Sequence, residues 1–183
     1  MKLIIAITGA SGIILGQRLL EELRGHETHL IMTSAAEDVA RFEENKSPKE
    51  IRKLASRSYD EDNLMAKIAS SSYKVDGMVI VPCSMKTLSG VANGYSDNLV
   101  TRAAENMLKM GWKLIVVPRE TPLTLAAIEN MRKLKMGGAI ILPPEVAYYH
   151  KPETADDMSA FIVGKILDVL GIEHKLYRKW EGK

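Results

Sequence analysis

The sequence predicts an α/β fold in which parallel strands form one sheet and helices cover both of its faces. Continuous apolar runs such as KLIIAI at residues 2–7 are typical of parallel strands that are buried on both faces. Amphipathic stretches long enough for helices separate these runs. A glycine-rich turn, ITGASGIILG at residues 7–16, follows the first run. Together these features predict a Rossmann-like, doubly wound parallel sheet in a single domain that spans residues 1–183.

The amino-terminal half of the chain contains two strand–helix pairs. The first pair is a strand at residues 2–7 and a helix at 11–25, and the second is a strand at 28–33 and a helix at 34–44. Residues 44–67 are charged and only weakly periodic. We therefore expect residues 44–67 to form a helical excursion or a mobile segment.

The carboxy-terminal half repeats this alternation. Buried strands at residues 78–82 and 113–118 each end at a proline, which cannot donate a ladder hydrogen bond. We expect the helix between them to be capped by Ser96 or Asp97 and to end at Gly111. A helix–strand pair and a final helix follow, at residues 126–138, 139–144 and 154–171, the last with Thr154 as its cap and Asp157 three residues later.

The composition gives no reason to expect a nucleic acid or a membrane as a partner. Lys and Arg number 25 and Asp and Glu number 23, which gives a formal net charge of +2. No apolar segment is long enough to cross a bilayer, and we expect no secretory leader, because no long apolar run with a small-residue cleavage site comes before the first strand. The one cysteine, Cys83, cannot form an internal disulfide, so we expect a cytoplasmic protein.

The glycine-rich turn does not match the fingerprint of a dinucleotide-binding protein. That fingerprint needs G-x-G-x-x-G and an acid about 20 residues later, at the end of the second strand. Here Gly9, Gly12 and Gly16 are spaced three and four apart, and the second strand ends in Thr33 and Ser34 with no carboxylate. Hydroxyls at this position favour a monophosphate or a flavin over NAD. An alternative interpretation is that the glycines only allow the helix and the strand to pack closely.

Other chemistries find less support in the sequence. The chain has no Walker A loop and no G-x-S-x-G nucleophile elbow. Its four histidines do not have the spacing of metal ligands, so we expect no metal site. Cys83 follows a buried strand, and such a cysteine is more typical of a packed core than of a nucleophile.

Polar side chains follow both later strands, at the edge where ligands bind in doubly wound sheets. Residues 82–99 combine hydroxyls, at Ser84 and Thr87 among others, with a helix amino terminus, which is suited to holding an anion or a carbonyl. Arg119 and Glu120 follow the next strand. This pair is suited either to binding phosphate while moving a proton or to forming a surface ion pair.

A third polar feature lies on the helix that follows residues 82–99. Arg102, Glu105 and Lys109 are three and four residues apart, so they share one helix face. The face is suited to binding a phosphate, but it is equally typical of a solvated stripe of salt bridges. The residues alone leave both interpretations open.

Five stretches occur in order across nearly the whole chain: TGASG, PCSMKTLSGVANGYSDNL, RAAENMLK, VVPRETPL and YYHKP. In this combination the sequence resembles the UbiX family of flavin prenyltransferases, formerly described as aromatic acid decarboxylases. The resemblance implies a metal-independent flavoprotein domain that transfers a dimethylallyl group from dimethylallyl phosphate to N5 and C6 of reduced FMN. The product, prenylated FMN, would pass to a UbiD-type decarboxylase. The protein would be a homo-oligomer, often a dodecamer, with active sites at subunit junctions.

The resemblance also implies roles for individual residues. The flavin would be held by Gly9, Ala10, Ser11, Thr33, Ser84, Met85, Lys86, Thr87 and Arg119. The catalytic positions would be Ser11, Glu43, Lys109 and Glu120, of which Glu120 assists proton movement. The prenyl phosphate would bind to Arg102, Tyr149 and Lys165. Cations and hydroxyls suit a leaving phosphate, whereas an allyl cation needs an apolar, water-poor pocket beside the flavin.

Three departures from the family pattern affect these expectations. Lys165 stands where many relatives have arginine, which keeps the charge but loses the planar fork. Ser71 replaces a glycine in the stretch ASSSY, and Met110, Gly111 and Trp112 replace a more basic segment. The last two departures concern the shape of a loop and the contacts between subunits more than the chemistry.

Other flavoprotein functions stay open as alternatives. A cysteine decarboxylase or an archaeal pterin reductase would share the loop around Asn93, Asp97 and Asn98. The decarboxylases need a histidine near the first helix, however, and residues 12–24 contain none. A flavin-binding regulatory subunit without catalysis would tolerate the loss of Glu120 or Tyr149, and both are present.

We expect the protein to bind FMN and not NAD, because hydroxyls rather than an acid end the second strand. Titrations followed by flavin absorbance and by tryptophan fluorescence measure the two affinities. Micromolar binding of NADH without any binding of FMN would contradict this interpretation of the glycine-rich turn.

Overall fold

A computed structural model describes residues 1–43, 46–180 and 182. Its sheet has the strands β1 (Lys2–Ile7), β2 (Glu27–Met32), β3 (Arg57–Asp60), β4 (Gly77–Cys83), β5 (Leu114–Pro118) and β6 (Ile140–Ile141). In space the strands lie in the order β3-β2-β1-β4-β5-β6, and every neighbouring pair is parallel. The chain therefore builds outwards from β1 to one edge and then returns to the other side of β1. This arrangement confirms the predicted doubly wound sheet and places its switch point between β1 and β4.

Helices lie between the strands along the chain, and a last helix follows β6. They are α1 (Ile13–Glu22), α2 (Ser34–Glu43), α3 (Pro48–Arg52), α4 (Met85–Ala92), α5 (Leu99–Met110), α6 (Leu125–Met136) and α7 (Ala155–Leu170). Helix α1 contacts β1 and β4, whereas α5 contacts β4 and β5. Within the described ranges, no helix combines the length and the apolar character that a membrane span requires.

The chain forms two compact units, Met1–Pro143 and Pro144–Lys183. The first unit contains the sheet and helices α1 to α6, and the second contains α7 and the segments on either side of it. That residues 1–183 act as one functional domain stays a prediction.

The core of the first unit is built on alternate residues of its central strands. Buried side chains from β1, β4 and β5 pack together with apolar side chains of α4 and α5, among them Leu88, Val91, Leu99, Ala103 and Met107. All seven residues of β4 are buried, which places protein on both faces of that strand. Burial on both faces is why the central strands have continuous apolar sequences rather than alternating ones.

The three glycines of the turn after β1 meet different structural requirements. A Cβ on Gly16 would lie 2.6 Å from the carbonyl oxygen of Val81 and 2.8 Å from the Ile7 side chain, so α1 packs on the sheet only without it. Gly12 precedes α1 with a φ of 99°, which favours glycine. A Cβ on Gly9 would lie 2.5 Å from that of Ala35. Close packing therefore explains Gly16 fully, but not Gly12.

The expectation for residues 44–67 was incomplete. This part of the chain contains α3 and the strand β3, and a short 3-10 turn follows at Lys67–Ala69, while residues 44 and 45 lie outside the described residues. Strand β3 pairs with β2 and forms the edge of the sheet. Three of its four residues are exposed, so no apolar run indicates the strand in the sequence.

The segment after the fourth strand also differs from the prediction. Strand β4 does not stop at Pro82 but continues to Cys83, which pairs with Pro118 after an irregularity in the register. Helix α4 then occupies residues 85–92, within the polar stretch 82–99, for which the sequence analysis gave no helix bounds. Cys83 is fully buried, as predicted for a core residue, and burial raises the pKa of its thiol.

Helix α5 begins one or two residues later than the two predicted caps would place it. Its cap is Asn98, not Ser96 or Asp97. The Asn98 side chain accepts a hydrogen bond from the N–H of Thr101 at 3.1 Å, and the Thr101 hydroxyl oxygen accepts one from the N–H of Asn98 at 3.3 Å. This reciprocal pair satisfies two donors at once, which a cap at Asp97 would not do with the same residues. Gly111 ends the helix with a φ of 66°, as predicted.

Substituting Gly16→Ala should destabilise the protein, because the new methyl group would overlap the carbonyl oxygen of Val81. We expect a net loss of about 1–2 kcal/mol, since overpacking outweighs the higher helix propensity of alanine. Urea unfolding at one fixed protein concentration measures the change. The control is Gly137→Ala, where the added Cβ would make only an ordinary contact of 3.4 Å with Leu134. Equal stabilities of the two variants would contradict the packing argument.

Candidate functional site

A cavity of about 670 Å³ opens at the carboxyl ends of the central strands. This volume lies within the range of about 300–1,000 Å³ that is usual for small-molecule sites. All residues that line it belong to the unit Met1–Pro143. They are Gly9, Thr33, Ser34, Ala35, Glu61, Ser84, Met85, Lys86, Thr87, Ser89, Gly90, Asn93, Tyr95, Asp97, Asn98 and Thr101.

The buried side chain of Thr8 joins the two loops that meet at the switch point. Its hydroxyl donates a hydrogen bond to the carbonyl oxygen of Pro82 at 2.8 Å and accepts one from the N–H of Ser84 at 2.8 Å. The Thr8 N–H also donates to the Pro82 carbonyl at 3.3 Å. Because Thr8 directly follows β1 and Ser84 directly follows β4, this hydroxyl fixes the positions of the two backbone segments that contribute Gly9 and Ser84 to the cavity.

The amino terminus of α4 forms a polar wall of the cavity. Ser84 caps the helix by accepting a hydrogen bond from the N–H of Thr87 at 3.3 Å, and its hydroxyl donates to the Thr87 hydroxyl at 3.1 Å. Lys86 lies in the first turn and also lines the cavity. A helix amino terminus with hydroxyls and a lysine attracts an anion. The sequence predicted this group of residues, and the structure brings it together.

The end of the second strand supplies a further hydroxyl. Thr33 is buried, and its side chain accepts a hydrogen bond from the N–H of Ala36 at 3.1 Å at the start of α2. The Thr33 N–H donates to the carbonyl oxygen of Ile7 at 3.1 Å, which ties this loop to the first one.

Glu61 is a cavity residue that the sequence analysis did not find. It follows β3, and its carboxylate accepts hydrogen bonds from the N–H of Ser34 at 2.9 Å and from the Ser34 hydroxyl at 2.7 Å. The second strand carries no acid at its end, but its neighbour in the sheet thus brings one to the same edge. Only the unpredicted pairing of β3 with β2 could have indicated this position.

Glu43 lies at the amino terminus of α1. Its carboxylate accepts hydrogen bonds from the N–H groups of Gly12 at 2.8 Å and Ile13 at 3.2 Å. Gly12 itself offers no side chain to cap this helix. The acid therefore takes the place that a ligand anion occupies at other helix amino termini. Beside it, Ala10 is buried and Ser11 is exposed.

Arg119 and Glu120 follow β5, the next strand beyond β4. The N–H of Arg119 donates to the carbonyl oxygen of Cys83 at 3.1 Å, which places its backbone next to Ser84. The Nε atom of Arg119 is buried, and it has no hydrogen-bond partner within the described residues. Glu120 is exposed, and its carboxylate accepts a hydrogen bond from the N–H of Thr121 at 3.0 Å. An unsatisfied buried donor of this kind is rare and fits a ligand acceptor.

Arg102 and Lys109 lie on α5. The Arg102 guanidinium donates to the carbonyl oxygen of Ala69 at 3.2 Å and to the Glu105 carboxylate at 3.0 Å, so it anchors the chain near residue 69. A hydrogen bond from Ser96, together with this guanidinium, lowers the pKa of Glu105. Lys109 is exposed in the last turn of the helix. The helix face that carries Arg102, Glu105 and Lys109 thus contains a salt bridge between Arg102 and Glu105. One of the two interpretations of the sequence predicted such a salt bridge.

In the second unit, Tyr149 belongs to an aromatic cluster. Its ring makes edge-to-face contacts with His150, Phe161 and Trp180, with centroids 5.7, 5.9 and 5.7 Å away. The residue as a whole is nevertheless 44% exposed, which leaves it accessible to a ligand.

Lys165 of the second unit lies beside Asp168, with its Nζ atom 3.4 Å from the carboxylate. Asp168 also accepts hydrogen bonds from Tyr177 and His174 and pairs with Lys179. Burial of Asp168 opposes its ionisation, but these partners outweigh burial and lower its pKa to about 2. The carboxylate would therefore keep partners if Lys165 moved to a phosphate.

Six predicted flavin positions line the cavity: Gly9, Thr33, Ser84, Met85, Lys86 and Thr87. Seven other predicted residues of the first unit lie outside its lining: Ala10, Ser11, Glu43, Arg102, Lys109, Arg119 and Glu120. The roles of all thirteen, and of Tyr149 and Lys165, stay predictions.

Comparison with known proteins decides the family. A family model described as Flavoprotein matches residues 1–167. The flavin prenyltransferase UbiX of Methanocaldococcus jannaschii is 47% identical over 181 residues, which cover 98% of each chain. This chain belongs to the UbiX family of flavin prenyltransferases. The family that the five sequence stretches indicated is thus confirmed.

Solved structures of UbiX-like proteins have the same fold. A dodecameric, FMN-dependent UbiX-like decarboxylase from Escherichia coli O157:H7 matches with a TM-score of 0.97 and 44% identity, over 100% of both chains. AnUbiX, in a complex with FMN and dimethylallyl pyrophosphate, matches with a TM-score of 0.97 and 37% identity, over 100% of this chain and 98% of its own. The peptidyl-cysteine decarboxylase EpiD matches with a TM-score of 0.65 and 21% identity over 80% of this chain and 82% of its own, which shows a shared fold alone.

Replacing Arg119 with alanine should weaken the binding of FMN, because the buried Nε donor would lose its predicted acceptor on the flavin. A hydrogen bond to a charged group contributes about 1.5–3 kcal/mol, so we expect the dissociation constant to rise about 10- to 100-fold. Titration by flavin fluorescence measures it. The control is Arg132→Ala, which removes an exposed arginine paired with Glu129. An unchanged FMN affinity in Arg119→Ala would remove this residue from the site.

Proposed function

We propose that this protein is a flavin prenyltransferase, which joins the dimethylallyl group of dimethylallyl phosphate to N5 and C6 of reduced FMN. The observation that carries the proposal is the cavity at the switch point, lined by six of the positions that the family resemblance assigned to the flavin. Membership of the UbiX family supports it. The alternative functions, a cysteine decarboxylase and a pterin reductase, have no comparable support, because likeness to a distant decarboxylase concerns the fold alone.

The residues that line the cavity fit FMN. The hydroxyls of Ser84, Thr87 and Thr33, together with Lys86 and the amino terminus of α4, suit a dianionic phosphate. The buried Nε of Arg119 suits an acceptor atom of the flavin ring. Reduced FMN would supply the electron-rich ring atoms that accept the prenyl group.

We assign the holding and transfer of protons to two acids of the chain, Glu43 and Glu120. Glu43 is fixed by two backbone N–H groups at the start of α1, beside the glycine-rich turn that we expect against the flavin. Glu120 is exposed and adjacent to Arg119, so it can exchange protons with solvent while its neighbour binds the flavin. Ser11, in the same turn as Gly12, would reach the reacting centre.

Cations would stabilise the phosphate that leaves the prenyl donor. We assign this role to Arg102, Lys109 and Lys165, with the Tyr149 hydroxyl as a further donor. Arg102 is held by Ala69 and Glu105, so it is oriented before a ligand arrives. Lys165 can leave Asp168 without stranding that carboxylate, which keeps Lys179 as a partner.

The protein would act as a homo-oligomer, and a dodecamer is the state we propose, with sites at subunit junctions. The dodecameric UbiX-like structure with a TM-score of 0.97 supports this state. Exposed apolar side chains on α6, among them Leu125 and Met136, are of the type that subunit interfaces cover. We also propose a UbiD-type decarboxylase as the recipient of prenylated FMN and a cytoplasmic location, where a reducing environment maintains reduced FMN.

Incubation of the anaerobic protein with reduced FMN and dimethylallyl phosphate should yield a flavin heavier by one five-carbon prenyl unit. Mass spectrometry detects this product, and a parallel incubation with dimethylallyl pyrophosphate identifies the preferred donor. Glu120→Gln should bind FMN normally but turn over about 10²–10⁴-fold more slowly, because it lacks the group assigned to proton transfer. FMN binding with no prenylated product from either donor would overturn the proposed function.

A further inference from the structure

A second cavity, of about 310 Å³, lies beside the first at the carboxyl ends of β2 and β3. Its lining comprises Met32, Ser34, Glu37, Arg52, Asp60, Glu61 and Asp62. Ser34 and Glu61 line both cavities. These two residues therefore form the boundary between the two spaces, and we refer to them as the partition.

Hydrogen bonds hold the partition on both sides. The Glu61 carboxylate accepts from the N–H of Ser34 at 2.9 Å and from its hydroxyl at 2.7 Å, at the first turn of α2. The main-chain oxygen of Glu61 accepts from the N–H of Leu99 at 2.7 Å, at the start of α5. The partition thus joins two helix amino termini, and a ligand that passed between the cavities would have to break the Ser34–Glu61 contacts.

The charges beyond the partition are unfavourable to a second phosphate. Arg52 is the cation of the second cavity, but it already donates to the Glu37 carboxylate at 2.8 and 3.0 Å and to Asp60 at 2.9 Å. Asp62 adds another acid to the lining. At the amino terminus of α2, the Glu61 carboxylate occupies the position that would otherwise attract a phosphate.

We propose that the Ser34–Glu61 partition makes the site selective for a mononucleotide flavin, so that it accepts FMN and rejects FAD. In sheets with this strand order, a dinucleotide lies across the switch point, with one half extending towards β2. Here the space on that side is the second cavity, which shares the partition with the first cavity and has Glu37, Asp60 and Asp62 in its lining. This inference rests on the proposed function, since it assumes that FMN occupies the first cavity.

The test compares the dissociation constants of FMN and FAD in the intact protein, with no catalytic readout. The wild-type protein should bind FAD at least about 100-fold more weakly than FMN, and Glu61→Ala should reduce this ratio at least about tenfold. Glu61→Gln should keep most of the selectivity, because its amide oxygen can still accept from Ser34. Comparison of Glu61→Ala with Glu61→Gln therefore separates the effect of the partition's shape on flavin selectivity from the effect of its charge.

The matched control is Asp62→Ala, which removes an exposed acid of the second cavity and leaves the partition in place. An FAD gain in Asp62→Ala equal to that in Glu61→Ala would overturn the proposal, because a general loss of negative charge would then explain both. Wild-type affinities for FAD and FMN that are equal, or a ratio unchanged in Glu61→Ala, would also overturn it. If Glu61→Ala does not fold, Ser34→Ala carries the test, with a smaller gain expected from the loss of one of the two hydrogen bonds.

Failure of this inference is distinguishable from failure of the proposed function. A wild-type protein that binds no flavin would contradict the proposed function itself. A protein that binds FMN, prenylates it and shows no effect of Glu61 on FAD binding would contradict the partition alone.

Discussion

The hydroxyl of Thr8 holds together the two halves of the sheet at the point where the cavity forms. Strands β1 and β4 are neighbours in space but far apart along the chain, and their regular pairing stops at Ala6 and Ile80. Beyond that point, Thr8 replaces the ladder by bonding the Pro82 carbonyl and the Ser84 N–H. The loops can then diverge enough to form a pocket while their backbones stay fixed, which is the preorganisation that a binding site needs.

Carboxylates of the chain itself satisfy two of the helix amino termini at this edge. Glu43 bonds the first N–H groups of α1, and Glu61 bonds that of α2. Helix α4 instead has the short side chain of Ser84 as its cap, with Lys86 in the following turn. The electrostatic contrast directs an incoming phosphate to α4, because the dipoles of the other two helices are already paired with negative charge. Glu43 ends α2 and Glu61 follows β3, so neither acid is close in sequence to the start of the helix that it caps, and the contrast exists only in the folded chain.

Burial explains which elements the sequence could predict. Strands β1, β4 and β5 are covered on both faces, so their apolar runs were unmistakable. The segments that follow β1 and β4 line the cavity, whereas Arg119 and Glu120 after β5 lie outside its lining. Strand β3 is exposed at the edge and reads RSYD, which no hydrophobic pattern distinguishes from a loop. Glu61 could not be found without it. Roles such as those of Arg102 and Lys165 came from the family resemblance, since the same charges equally form the ion pairs with Glu105 and Asp168 that the structure contains.

The burial of Cys83 has a practical consequence for measuring motion. Its thiol is the only one in the sequence, and it lies at the end of the central strand, directly before the residues that cap α4. An alkylating reagent can react with this thiol only when the region opens to solvent. Burial shields the sulfur, and it also raises the pKa of the thiol and so keeps it protonated. The rate of alkylation therefore reports on local unfolding at the edge of the cavity. The unmodified protein thus contains a probe of its own local unfolding, and no label has to be introduced.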